Sequence, residues 1–188
     1  METRDRLLDA ALGLFASRGY DAVGVQEIVA AVGVTKPTLY HHFGSKRGLL
    51  EALLDQHGGA FAGELEAAAA YAGDLPLTLD RVAAAHFALA AAHPDFYRLL
   101  LALAAAPPDH EAYAAAAPFL ERQRALLEAL FARAACDHGN MRGRHRRYAL
   151  TFAGALNAYA GLVINGLARA DARARRELVH QFSHGIYS

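Results

Sequence analysis

The residues that decide the fold are Val25-Gln-Glu-Ile-Val-Ala-Ala-Val-Gly-Val-Thr-Lys-Pro-Thr-Leu-Tyr-His-His-Phe43. The first eight are mostly apolar and predict a short helix. Gly33 favours the end of that helix, because glycine enters a left-handed turn without steric cost. Thr35 can cap a second helix, and Pro37 falls in its first turn, where the missing N–H of proline does no harm. The stretch therefore predicts two short helices joined by a tight turn.

The second of these helices carries polar and aromatic groups on its outer face. Leu39 and Phe43 are four residues apart and can hold the helix against a core. The residues left for the outside are Lys36, Thr38, Tyr40, His41 and His42. A short helix with such a face suits the major groove of DNA, and Lys46 can hold a phosphate together with the N-terminus of the next helix. An ordinary hairpin with a solvated outer face remains the alternative.

Composition points to an all-α protein. The chain has 188 residues, of which 54% are hydrophobic, with alanine and leucine dominant, and both are strong helix formers. A net charge of zero argues against coating nucleic acid by bulk charge, although a local basic patch can still bind it. The single cysteine, Cys136, excludes an intrachain disulfide, and no apolar signal segment follows the charged N-terminus. We therefore expect a cytoplasmic protein.

The chain divides into a three-helix head, residues 1–45, and a larger helical body, residues 46–188. The expected helices outside the hairpin are 4–18, a long helix from about 46, 77–92, 94–105, 110–136, 142–169 and 172–184. The uncharged segment 148–168 has the length of a membrane span. It contains Thr151, Asn157 and Asn165 among many small residues, so we expect a helix that is buried on most sides.

The hairpin resembles the DNA-binding domain of the tetracycline-repressor (TetR) family over about residues 4–54. The resemblance is carried by Gly33-Val-Thr-Lys-Pro-Thr-Leu-Tyr-His-His-Phe43, with Gly19-Tyr20-Asp21 before it and Ser45-Lys46 after it. It implies a helix-turn-helix whose second helix enters the major groove. The residues that it implies for base or phosphate contacts are Gln26, Thr35, Lys36, Pro37, Thr38, Tyr40, His41, His42 and Lys46. The chain departs from the family at Val23-Gly24, where a serine or threonine hydroxyl is usual.

The same resemblance implies a homodimer, joined through the last two helices, and a body that binds an effector. A stripe of small residues with helical spacing would let two helices approach closely, although it could also pack within one chain. Its members are Gly154, Ala158, Gly161 and Asn165. Candidate effector contacts are His86, Phe87, Tyr97, Tyr113, Phe119, Phe152 and Asn157. Each is also a reasonable core residue, and together they favour a mostly apolar effector with a few polar handles.

The leading hypothesis is a DNA-binding transcriptional regulator, a repressor that a small-molecule effector releases from a palindromic operator. The alternatives are an interaction module that keeps the hairpin without binding DNA, and an all-helical enzyme. We find no paired carboxylates, no nucleophile–base set and no phosphate loop, so we expect no enzymatic activity. We also expect no cofactor or metal, because the pair His180 and His184 is joined by no cysteine or carboxylate set.

Overall fold

The computed structural model describes residues 2–185, and all its regular elements in that range are helices, which confirms the all-α class. A short 3-10 helix, Gly139–Met141, accompanies the α-helices. Their bounds are α1 Thr3–Arg18, α2 Val25–Val32, α3 Lys36–Phe43, α4 Lys46–Ala68, α5 Leu75–Ala92, α6 Pro94–Ala104, α7 Glu111–Asp137, α8 His145–Ile164 and α9 Ala172–His184. The helix α7 continues through Pro118. None of the helices described is long and apolar enough to cross a bilayer.

The described residues form two compact units. The first comprises the chain up to Gly59 together with Asp95–Phe119, and the second comprises Ala60–Pro94 and the chain from Leu120 onward. The functional division between residues 45 and 46 stays a prediction.

The first unit is built around the helices of the predicted head. Helix α1 packs against α2 and α3. It buries the apolar stripe that contains Leu7, Leu8 and Phe15, as the spacing of these residues predicts. Ile28 of α2 and Leu39 of α3 are likewise fully buried. The sequence pattern thus places α1 and the two short helices of the hairpin around one core.

The second unit packs α5 against α8 and α9. Its core contains the rings of Phe131, Phe152 and Phe182, whose centroids lie 4.9 to 6.1 Å apart. Aromatic pairs at this distance contribute beyond the area that they bury. The ion pair between Arg175 Nε and Asp80 Oδ1, at 2.7 Å, adds a polar tie between α9 and α5.

The expected helix 142–169 was wrong at both ends. Gly143 has a φ of 72°, and α8 begins only at His145. At the other end Gly166 also has a positive φ. Its N–H donates to the Val163 carbonyl (3.0 Å), and the Leu167 N–H donates to the Leu162 carbonyl (2.9 Å). This paired bonding is a Schellman motif, which ends the helix at Ile164.

Candidate nucleic-acid interface

The turn between α2 and α3 has the predicted geometry. Gly33 lies in the left-handed region (φ 74°, ψ 34°). Its N–H donates to the Ala30 carbonyl, and the N–H of Val34 donates to the Val29 carbonyl at 3.0 Å. These two bonds form a Schellman motif and satisfy carbonyls at the end of α2. The left-handed conformation of Gly33 therefore sets the direction in which the chain enters α3.

Helix α2 begins without a side-chain hydroxyl. Gly24 stands at its N-cap, and the Gly24 N–H donates to the Glu27 carboxylate at 3.0 Å. Glu27 also pairs with Arg18 of α1 at 2.5 Å. The bond from Gly24, and after it the bond from Arg18, lowers the pKa of the Glu27 carboxyl. No pattern in the sequence indicated this role for Arg18, which ties the end of α1 to the start of the hairpin.

Helix α3 starts at the predicted cap, with a different hydrogen bond. Thr35 occupies the N-cap, but its hydroxyl makes no capping bond to the backbone. The hydroxyl lies 3.0 Å from that of Thr38, and the Thr38 N–H donates to the Thr35 carbonyl at 3.1 Å. Pro37 lies in the first turn, as predicted. The two threonines therefore form a pair at the end of α3 that faces the turn.

The two faces of α3 differ in exposure as the sequence predicts. Leu39 is completely buried, whereas Phe43 is half-buried with the Arg4 guanidinium 5.7 Å from its ring centroid. Tyr40 keeps 47% of its surface exposed. The other predicted contact residues that are exposed are Gln26, Thr35, Lys36, Pro37, His41 and His42. Thr38 is half-buried. The outer face of α3 is therefore open to a ligand.

Lys46 is held differently from the other predicted contacts. Its ammonium donates to the Tyr20 carbonyl oxygen at 2.5 Å and lies 4.0 Å from the centroid of the Tyr20 ring and 5.8 Å from that of Phe15. Burial lowers the pKa of this ammonium. Its role as a phosphate clamp stays a prediction, and its geometry gives it a second role inside the first unit.

The predicted effector residues fall into different environments. Tyr97 is buried, and Tyr113 and Phe119 are half-buried, in the first unit. In the second unit His86, Phe87 and Phe152 are buried, and burial lowers the pKa of His86 to about 4. Asn157 is exposed, because it follows the buried Leu156 by one position and so turns away from the core.

Two cavities of the second unit involve none of these residues. One has a volume of about 590 Å³ and lies between α8 and α9. Its lining is Arg144, Arg147, Tyr148, Thr151, Ala155, Leu178, Gln181, Phe182 and Gly185. The other, of about 220 Å³, shares Tyr148 and Phe182 with it and is also lined by His138. The sequence pattern did not reveal the larger cavity, which is a groove between α8 and α9, because its walls come from two helices that are separated along the chain.

The small-residue stripe of α8 is mostly exposed. Gly154 and Ala158 are open to solvent, and Gly161 is half-buried. Asn165 was expected on the same helical stripe, but it lies just past the end of α8, and its amide donates to the Gly161 carbonyl at 2.9 Å. The Schellman turn at Gly166 is the reason for this difference.

The histidine pair of α9 is stacked, with the rings of His180 and His184 4.3 Å apart. Among the described residues, no group of three or more histidine, cysteine, aspartate or glutamate side chains is arranged to hold a metal ion.

The arrangement of α1, α2 and α3 defines a helix-turn-helix protein. Residues 7–53 match the family model described as bacterial regulatory proteins, tetR family. The transcriptional repressor ComR of Escherichia coli is 44% identical over 64 residues, which are 34% of this chain and 30% of ComR. The chain thus spans less than a third of the length of that relative.

The fold is shared over the whole chain with solved structures. The TetR family transcriptional regulator PfmR of Thermus thermophilus is 26% identical, with a TM-score of 0.74 over 98% of this chain and 100% of PfmR. The regulator FadR of Bacillus subtilis, solved in complex with stearoyl-CoA, is 20% identical. Its TM-score is 0.81 over 97% of this chain and 99% of FadR. Residues 7–53 therefore carry the DNA-binding domain of the TetR family, and the fold of the whole chain is the one seen in PfmR, a solved regulator of that family.

Proposed function

We propose that this chain is a DNA-binding transcriptional regulator, a repressor that a small-molecule effector releases from a palindromic operator. The observation that carries the proposal is the two-sided character of α3. Leu39 anchors the helix from within, while Lys36, Tyr40 and His41 are exposed on its outer side. Such a helix can enter a major groove without unpacking its own core. The regulator is non-enzymatic and acts in the cytoplasm, where its operator lies.

The proposed contacts divide by chemistry. The Lys36 ammonium can donate to a guanine edge or to a phosphate oxygen. The hydroxyl of Tyr40 and the imidazole of His42 can donate to phosphate oxygens, and the ring of His41 can lie against sugar and base. Gln26 of α2 can contact the backbone or a base. Phosphate contacts fix the register, and base contacts choose the sequence.

The test measures binding of the full chain to labelled duplexes from the DNA upstream of its own gene by fluorescence anisotropy at several salt concentrations. Lys36→Ala is expected to weaken binding about tenfold and to reduce the salt slope by about one. Arg122→Ala is the matched control, because it removes the same charge from an exposed position of α7. If no palindrome binds, and Lys36→Ala changes no binding, the hairpin is better explained as a protein-interaction module.

We propose that the regulator is a homodimer that pairs through α8 and α9. Leu150, Gly154, Ala158 and Leu162 follow one another at four-residue spacing, so they share one face of α8. The two leucines are 75% and 44% exposed, and a Cβ on Gly154 would meet no atom within 4 Å. A leucine-flanked strip of small residues is a surface that a second helix can cover. Two α3 helices in a dimer would meet DNA about one helical turn apart, roughly 34 Å.

The dimer is tested by light scattering coupled to size-exclusion chromatography. Ala158→Glu should shift the mass towards the monomer, because it would bury a carboxylate in an apolar contact. Ala129→Glu, at an exposed alanine of α7, should leave the mass unchanged. A dimer that survives Ala158→Glu would exclude this face.

The effector that we propose is mostly apolar. The support is the number of buried aromatic groups in the body, including Phe87, whose ring stacks on Tyr159 at 4.8 Å. Because FadR of Bacillus subtilis binds stearoyl-CoA, acyl-CoA thioesters of graded chain length are the first ligands to screen by thermal shift. A ligand at a hundredfold excess over its Kd should add about 2.7 kcal/mol to the stability. It should also release the operator. If no thioester raises the melting temperature while DNA binding is intact, the effector belongs to another class.

A further inference from the structure

A hydrogen bond from the buried Tyr20 side chain links the turn between α1 and α2 to the start of α7. The Tyr20 hydroxyl donates to the Glu111 carboxylate, and Tyr20 is only 7% exposed. Burial first, and then the bond to Glu111, raises the pKa of Tyr20. The phenol therefore keeps its proton and remains a donor at physiological pH. Ninety-one positions separate the two residues along the chain.

A second bond lies beside the first. His110 Nε2 is 3.0 Å from Asp21 Oδ2, and the His110 ring meets the Tyr20 ring edge-on. On its other side, His110 Nδ1 accepts the Ala112 N–H at 3.2 Å. The ring therefore has a donor facing Nδ1 and a carboxylate acceptor facing Nε2, so each ring nitrogen has a partner.

The third bond comes from the opposite end of the hairpin. Lys46, the first residue of α4, donates to the Tyr20 carbonyl at 2.5 Å and covers the Tyr20 ring. Tyr20 is thus held through its side chain by Glu111 and through its backbone by Lys46. These contacts reach the chain just before α2 and just after α3, so they bracket the helix-turn-helix.

The connection between α6 and α7, which carries His110 and leads into Glu111, is itself restrained. His110 is the last of six residues, 105–110, that connect α6 to α7. The Pro107-Pro108 pair fixes two φ angles in this connection, and the His110 N–H donates to the Pro107 carbonyl at 2.9 Å. The imidazole and the Glu111 carboxylate are therefore presented by a short, restrained segment.

We propose that Tyr20, Asp21, Lys46, His110 and Glu111 form a clasp that sets the position of the helix-turn-helix hairpin, and with it the affinity for operator DNA. The proposal rests on the proposed function. Tyr20 and Glu111 act as positioning residues that need not touch DNA. A ligand that displaces the connection between α6 and α7 opens the clasp, and the hairpin then samples orientations that fit the groove less well.

The test compares Tyr20→Phe, Glu111→Gln and the double variant with the wild-type chain in operator-binding titrations. Each single variant is expected to bind about tenfold more weakly, the effect of one charge-assisted hydrogen bond. The double variant should lose no more operator affinity than the single variant that binds more weakly, because both substitutions remove the same hydrogen bond. The salt slope should stay constant, because the phosphate contacts are unchanged.

The matched control is Tyr71→Phe, which removes another tyrosine–carboxylate bond, from Tyr71 to Asp137 at 2.7 Å. This variant should bind operator as the wild type does. Wild-type affinity in Tyr20→Phe and Glu111→Gln would overturn the clasp, as would losses that add in the double variant.

A second measurement separates the clasp from the DNA-binding proposal. In the free protein, the amides of α2 and α3 should exchange hydrogen faster in Tyr20→Phe than in the wild type, and should not change in Tyr71→Phe. Unchanged exchange would overturn the clasp, whatever the protein does with DNA. Failure of the wild-type chain to bind any duplex, with faster exchange in Tyr20→Phe, would instead reject the proposed function and leave the clasp supported.

Discussion

Replacement of Gly58 should show how closely α4 and α7 approach inside the first unit. Gly58 is buried. A Cβ on it would lie 2.5 Å from Phe119 Cε2 and 3.1 Å from Cδ2 and Cζ of the same ring. Its neighbour Gly59 is exposed, and a Cβ there would meet no atom within 4 Å. The two glycines thus form a matched pair in one helix.

The magnitude follows from two opposing effects. Glycine-to-alanine substitution inside a helix contributes about 1 kcal/mol of stability, and it should do so at either position. Overpacking of a filled site costs about 1–3 kcal/mol, and it applies only at Gly58. We therefore expect Gly59→Ala to stabilise the protein by about 1 kcal/mol. Gly58→Ala should be less stable than Gly59→Ala by about 1–3 kcal/mol.

The assay is reversible urea unfolding, supported by melting temperatures, which shift about 2–4 °C per kcal/mol in a chain of this size. Both alanine variants are also measured in a Phe119→Leu background, where the ring that meets the new Cβ is gone. There the difference between the two variants should fall close to zero. If Gly58→Ala is as stable as Gly59→Ala with Phe119 present, or if Phe119→Leu leaves the difference unchanged, the close approach is refuted.

Three further outcomes follow from single contacts. Gly48→Ala should destabilise the protein by about 3 kcal/mol in urea unfolding, because its Cβ would lie 2.1 Å from the Phe43 carbonyl oxygen. Burial lowers the pKa of His86 to about 4. As the pH falls, the unfolded chain therefore takes up a proton on this imidazole at a higher pH than the folded chain does. Stability should then fall as the pH drops from about 6.5 to 4, by on the order of 3 kcal/mol, measured from urea midpoints. Asp80→Ala should cost about 1 kcal/mol through loss of the half-buried pair with Arg175, measured by a double-mutant cycle.

Each of these outcomes has its own check. Gly13→Ala, in the open middle of α1, should stabilise the protein, so equal effects at positions 13 and 48 would argue against the tight approach to Phe43. His86→Gln should flatten the pH dependence, and an identical slope in both proteins would assign that dependence to other groups. If Asp80→Ala costs as much in an Arg175→Ala background as in the wild type, the pair contributes nothing.

The hairpin could be predicted from the sequence because its signals are local. Gly33 and Thr35 mark a turn and a cap within three positions, and both stand where the pattern put them. The end of α8 also had a local signal, the Asn165-Gly166 pair, which typically follows the last turn of a helix. Because the segment 148–168 contains no charged residue, it was expected to form one continuous helix. The expected helix was therefore longer than α8, which ends at Ile164.

The clasp could not be predicted in the same way. Tyr20 read as part of a helix break, and Glu111 as the start of a distant helix. No periodicity links two residues that lie in different elements. The same holds for Lys46, whose position in the motif favoured a phosphate contact and gave no sign of the Tyr20 carbonyl 2.5 Å away. Contacts between distant segments depend on tertiary packing, and local periodicity and turn signals do not show which distant segments meet.

The early end of α8 limits how much surface that helix can offer to a second copy of the chain. From Leu150 to Leu162 the exposed strip covers twelve residue steps, or about 18 Å at 1.5 Å per residue. With a helix width of about 10 Å, the footprint is roughly 200 Å² on each protomer. A stable interface of standard size buries about 800 Å² per partner. The rest of a stable pairing surface must therefore come from outside this strip, and α9, the other helix of the proposed interface, is expected to supply it.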